Sequence, residues 1–126
     1  MERPSISLSA VVLDAPDARE LASFYSRLLG WPVRVDEGEW VMLRAPEGAT
    51  SLSFQTEEIY QRPRWPERDG QQMMLHLDLQ VDDLETACAH AIACGATLAE
   101  FQPQEDVRVF FDPAGHPFCL WVESPG

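Results

Sequence analysis

The stretch "MMLHLDLQVDDLETACAHAIACG" (residues 73–95) decides the fold. Its first part alternates: Leu75, Leu77, Leu79 and Val81 fall on one face of an extended chain, and Met74, His76, Asp78 and Gln80 on the other. That period predicts a half-buried strand. The pattern then turns helical, with Asp82 and Glu85 as the capping pair and Gly95 as the stop. Further strands are expected at about 97–101, 106–111 and 117–123.

The same order occurs earlier in the chain. "ISLSAVVLD" (residues 6–14) reads as a strand. "APDARELASFYSRLLG" follows as a helix, capped by Asp17 with Glu20 and stopped by Gly30; Leu21, Phe24, Tyr25 and Leu28 recur at helical spacing. Strands are expected at about 32–36, 39–45 and 50–56. Each half therefore reads βαβββ, and corresponding elements are offset by 65 to 67 residues. Between the halves, "EEIYQRPRWPERDGQQ" is polar, holds two prolines and does not continue a sheet. A half of about 60 residues buries too little surface alone, so one α+β domain over 1–126 is expected. Repeat one covers about 6–56, the connection about 57–72 and repeat two about 73–123.

The 126 residues carry 21 acidic and 9 basic side chains, a net charge of −12. Nucleic acid and anionic membranes need a basic face, so neither is an expected partner; a cationic ligand suits this charge. No apolar run approaches the ~20 residues of a membrane span, and "MERPSISLSA" is not a signal peptide, so a cytoplasmic location is expected. Cys88, Cys94 and Cys119 are well separated without a C-x-x-C, which argues against a disulfide framework or a multi-thiolate zinc site. All three read as small buried hydrophobes. No phosphate loop, G-x-S-x-G elbow or H-E-x-x-H helix is present.

Three segments carry a resemblance: "FYSRLLGWPV" (24–33), "HLDLQVDDLE" (76–85) and "DPAGHPFCL" (112–120). With the doubled βαβββ order, the chain resembles the vicinal oxygen chelate superfamily in its glyoxalase-like branch. That superfamily includes glyoxalase I, extradiol dioxygenases, fosfomycin-inactivating enzymes and bleomycin resistance proteins. The resemblance implies a cupped, barrel-like sheet of eight strands around one cavity. It also implies one metal ligand on each of four strands. Those positions fall on Ala10, near Ser53, on His76 and on Cys119. Ala10 has no donor atom, the Ser53 hydroxyl stays protonated at neutral pH, and His76 with Cys119 is too small a set for a secure zinc or iron site unless Asp78, Gln55 or Glu123 reaches in.

The expected function is therefore metal-free binding of an apolar, aromatic or cationic small molecule, as in bleomycin resistance proteins, by a homodimer. Trp40, Ser53, Gln55, Trp65, His76, Asp78, Cys119 and Trp121 are the expected ligand-binding residues, since aromatic walls with a few polar groups suit a planar guest. No cofactor is expected. The alternative is a lyase, isomerase or dioxygenase that uses a divalent metal involving His76, or His76 itself as general base. Trp65, a large aromatic in a polar connection, either caps the pocket or meets a second subunit. His116 reads as an exposed turn residue, with Asp112 and Gly115 supplying turn chemistry.

Overall fold

Two αL glycines end the two helices, and around each helix the chain builds the same unit. The computed structural model describes residues 3–66 and 74–123. It divides into two compact units, Met1–Glu58 and Ile59–Gly126. The first holds β1 (Ala10–Ala15), α1 (Ala18–Leu29), β2 (Val33–Asp36), β3 (Trp40–Leu43) and β4 (Ser51–Thr56). The second holds β5 (Leu77–Gln80), α2 (Leu84–Cys94), β6 (Thr97–Leu98), β7 (Val107–Phe111) and β8 (Pro117–Trp121). Both are βαβββ. The eight strands fall into two four-stranded sheets, one per unit, ordered β1-β4-β3-β2 and β5-β8-β7-β6. In each sheet the first and last strands pair in parallel and the remaining pairs are antiparallel.

In the first unit the Asp17 carboxylate accepts from the backbone N–H groups of Arg19 and Glu20, and Gly30 closes the helix at φ 74°. Leu21, Phe24 and Tyr25 bury one helix face. Against it lie Leu13 and Ala15 of β1, Val41 and Leu43 of β3, and Leu52 and Phe54 of β4, all buried. The Tyr25 and Phe54 rings stack with centroids 5.6 Å apart. Alternation then sends Val12, Asp14, Ser53, Gln55, Trp40 and Met42 to the sheet's other face.

In the second unit Phe110 and Phe118 stack at 5.7 Å and are fully buried. Leu120 joins them, and Leu77 and Leu79 share that face by register. The opposite face receives Asp78, Gln80, Cys119, Trp121, Val107 and Val109.

Several element bounds differ from the sequence expectations. β1 begins at Ala10, not at residue 6, because its partner β4 begins at Ser51; upstream, the Ser9 carbonyl still accepts from Ser51, and Ile6 is 86% exposed. β5 begins at Leu77, so Leu75 and His76 precede the strand and Met74 is 88% exposed. The reason lies in the partner strand: β8 begins at Pro117, which lacks an N–H, and His116 before it is held in a turn. β6 has two residues instead of five. The N-cap of α2 is Asp83, not Asp82, since the Asp83 carboxylate reaches the N–H and hydroxyl of Thr86 at the third helical position.

The connection also differs. Its first part is bound to the second unit. The Tyr60 hydroxyl donates to the Ala114 carbonyl at 3.0 Å, Arg62 Nη1 donates to the Pro113 carbonyl at 3.1 Å, and the Trp65 ring lies 5.6 Å from that of Phe101. Residues 67–72 of the expected connection, and Met73, lie outside the described residues. No helix among the described residues is long and apolar enough to cross a membrane.

Candidate functional site

In the first unit, Trp40 and Gln55 are register partners on β3 and β4, and Ser53 stands two residues before Gln55 on the same helix-free face. Trp40 is half-buried and Gln55 exposed, its amide 3.4 Å from the Asp14 carboxylate. Ser53 is 0% exposed, and its hydroxyl has no hydrogen-bond partner among the described residues. A buried polar atom left in that state carries a cost of ~1–3 kcal/mol. Ala10, the first family ligand position, is the opening residue of β1 and offers a methyl group.

The second unit brings three chemistry-bearing side chains together. Asp78 and Cys119 are Cα partners across the parallel β5–β8 pair, and His76 stands just before β5, two residues from Asp78. His76 Nε2 lies 3.1 Å from the Asp78 carboxylate. One ligand atom from each of His76, Asp78 and Cys119 lies within 4.8 Å of the others. Asp78 thus supplies the third donor on which the sequence argument against a metal depended.

The electrostatics of this cluster work against a thiolate. Partial burial is the main cause that pushes the Cys119 thiol up to about 11, and the charge of Asp78 and its hydrogen bond with the thiol push the same way. A catalytic Cys–His pair needs a depressed thiol value, so Cys119 is not an activated nucleophile.

Beside the cluster is a pocket of about 170 Å³ lined by Trp65, His76, Pro103, Gln104, Val107, Val109, Pro117 and Cys119. Trp65 therefore forms a pocket wall, while Trp121, two residues beyond Cys119 on the same face, is outside the lining. The expected ligand-binding group separates accordingly. Trp65, His76 and Cys119 share one pocket with Asp78 adjacent; Trp40, Ser53 and Gln55 share a sheet face in the first unit. Val107 and Val109 escaped the sequence reading, although their alternation in β7 opposite Trp121 and Cys119 was the available signal. Pro103 and Gln104 lie in a loop and gave no periodic signal.

His116 is not an exposed turn residue. Its side chain is 18% exposed, its Nδ1 lies 2.8 Å from the buried Asp112 carboxylate, and its Nε2 lies 3.2 Å from the Tyr60 hydroxyl. The other Asp112 oxygen accepts from the N–H groups of Ala114 and His116, so the turn is pinned on all sides. Cys88 is half-buried, not buried, and burial raises its thiol. Cys119 is likewise half-buried, and only Cys94 is buried as expected.

The family model described as a glyoxalase-like domain matches residues 10–121, and the chain belongs to that family, within the vicinal oxygen chelate superfamily. No curated protein matches it. Among solved structures it is similar to a glyoxalase/bleomycin resistance protein/dioxygenase family enzyme from Burkholderia phytofirmans PsJN, at 22% identity over 93% of this chain and 98% of that one, TM-score 0.72. It is similar to TnmS3, an antibiotic binding protein from Streptomyces sp. CB03234, at 22% identity over 98% and 100%, TM-score 0.62. It is also similar to lactoylglutathione lyase from Agrobacterium tumefaciens, at 15% identity over 95% and 96%, TM-score 0.61. At these identities the likeness is one of fold.

Enzymes of the superfamily use a metal, and the donor set can be tested against one. Imidazole nitrogen, carboxylate oxygen and thiolate sulfur are the mixed ligands that zinc accepts, with ligand–ligand separations of about 3.3–3.8 Å in a tetrahedral site. His76 Nε2 and the Asp78 carboxylate lie 3.1 Å apart, and the three donor atoms all lie within 4.8 Å of one another. His76 and Asp78 therefore fit as two donors, and Cys119 joins them only as a thiolate, which its surroundings disfavour.

Proposed function

We propose that the protein binds an apolar, aromatic or cationic small molecule without a metal, in the Trp65 pocket, and acts by holding that molecule. The observation that carries this reading is the pocket itself. Trp65, Pro103, Val107, Val109 and Pro117 supply apolar walls, and His76 and Cys119 supply a polar end. A dry apolar cavity of ~150 Å³ holds benzene, so about 170 Å³ holds one aromatic ring, with the rest of the guest outside. The exposed Asp78 carboxylate next to the polar end favours a positive charge there. The likeness to TnmS3, named as an antibiotic binding protein, supports the same class of guest.

The test uses the four tryptophans of the chain. A panel of cationic aromatic antibiotics is titrated with chelator present while tryptophan emission is followed. Saturable quenching with a midpoint of ~10 μM, about −7 kcal/mol, is the expected result for at least one compound. A flat response from every compound contradicts the reading.

One observation favours a second reading, a metal-assisted lyase, isomerase or dioxygenase: the three donors of His76, Asp78 and Cys119 converge. A bound divalent ion would act as a Lewis acid toward an oxygen of the substrate. In this reading His76 and Asp78 hold the ion, and Cys119 completes the set only by giving up its proton. Metal analysis of protein purified without chelators separates the readings. A stoichiometric metal that His76→Ala removes establishes the second; its absence leaves the first.

A further inference from the structure

We propose that a second hollow in the Ile59–Gly126 unit, on the connecting segment, is an anion-accepting site for a planar aromatic carboxylate. It is a groove of about 680 Å³ lined by Gln61, Arg62, Pro63, Arg64, Trp65, Phe111 and Gly115. That volume lies within the ~300–1,000 Å³ usual for small-molecule sites. In a protein with 21 acidic and 9 basic residues, two arginines line one groove, with no acidic side chain among its described lining residues.

One of these arginines has a fixed seat. Arg62 Nη1 donates to the Pro113 carbonyl, and the guanidinium lies flat against Gly115. A Cβ at position 115 would come 2.8 Å from Arg62 Nε and 2.9 Å from Cζ, so only glycine leaves room for it. Gly115 also adopts φ +97°, which side-chain-bearing residues rarely do. The turn under Arg62 is held by Asp112, His116 and Tyr60. The planar fork is therefore positioned before any ligand arrives, which lowers the ordering cost of binding.

The lining chemistry selects the ligand. A guanidinium fork matches a carboxylate with two parallel, charge-assisted N–H···O bonds, and Trp65 and Phe111 offer flat apolar surface to an attached ring. Neutral and cationic aromatics gain the stacking without the charge-assisted bonds. Trp65 lines both this groove and the 170 Å³ pocket, but the arginines line only the groove.

Calorimetric titration of the full chain with 2-naphthoate and 2-naphthamide tests the proposal. The acid is expected to bind about tenfold more tightly than the amide, and Arg62→Gln or Arg64→Gln to bring it close to the amide. Equal affinity of acid and amide, or an acid affinity unchanged in both variants, overturns it. Should Arg62→Gln melt early because its tie to Pro113 is lost, Arg64→Gln and the acid–amide comparison on the native chain still decide. Quenching of Arg64→Gln by a cationic antibiotic is expected to match the native protein, so failure of this groove and failure of the Trp65 pocket are read separately.

Discussion

Asp78 and Cys119 sit opposite each other on the paired strands β5 and β8, and partial burial, reinforced by the facing carboxylate, raises the thiol. The consequence concerns reactivity. With its value moved from 9.0 to about 11, the thiol is protonated throughout the neutral range.

Alkylation of Cys119 by iodoacetamide, read by peptide mass, is therefore expected to be slow at pH 8 and to rise only toward pH 11. Asp78→Asn removes the like charge and is expected to speed labelling at pH 9 by about threefold or more, burial remaining in place. An unchanged rate would mean that Asp78 does not act on the thiol. The stability effect has a definite sign. A raised thiol favours the folded state below pH 9, and that contribution is lost as pH rises from 9.0 through about 11. Denaturant midpoints measured at pH 8 and pH 10.5 check it; Cys119→Ser is expected to flatten the difference.

Tyr25 and Phe54 stack at 5.6 Å, and both are fully buried between α1 and β4. Phe54→Ala is expected to lower unfolding stability by ~3–5 kcal/mol, through lost transfer energy and the cavity left behind. Urea titration measures it. A loss below about 1 kcal/mol would contradict the packing of the first unit.

Gly115→Ala combines a left-handed backbone with a collision against Arg62. The expected outcome is destabilisation by ~1–3 kcal/mol, visible as an earlier thermal transition. Gly48→Ala is the control: it also has positive φ, but a Cβ there meets nothing within 4 Å, so it is expected to cost less.

Much of this fold can be read from the residues, for physical reasons. Asp17 with Gly30 brackets α1, and Gly95 ends α2, because caps and αL stops are local chemistry. The alternation placed Asp78 on the helix-free side, since a pleat has period two, whereas His76 lies before β5 and meets Asp78 by direct contact. What was misread depends on partners. The start of β1 is set by where β4 begins, and the start of β5 by Pro117 on another strand. Asp82 and Asp83 are adjacent and chemically alike; only the reach to Thr86 separates them. His116 looked like a solvent-facing residue because it stands in the D-P-A-G-H-P turn. Its burial comes from Tyr60, 56 positions away, which sequence spacing does not reveal.

The candidate site was legible in part for the same reason. Asp78 and Cys119 share one face by register, so their approach follows from β5 pairing with β8, and His76 joins them from the residues just before β5. The pocket wall at Trp65 follows from the connection folding onto the second unit, a long-range event without a periodic signature.

The central claim is that Trp65 and its neighbours hold an aromatic guest. Its most direct test is calorimetry of native protein and Trp65→Ala with the antibiotic that quenches best, in chelator. The account predicts one binding event per chain in the native protein and a loss of about tenfold or more in the variant. Equal affinity in the two proteins, or no heat of binding in either, would contradict it.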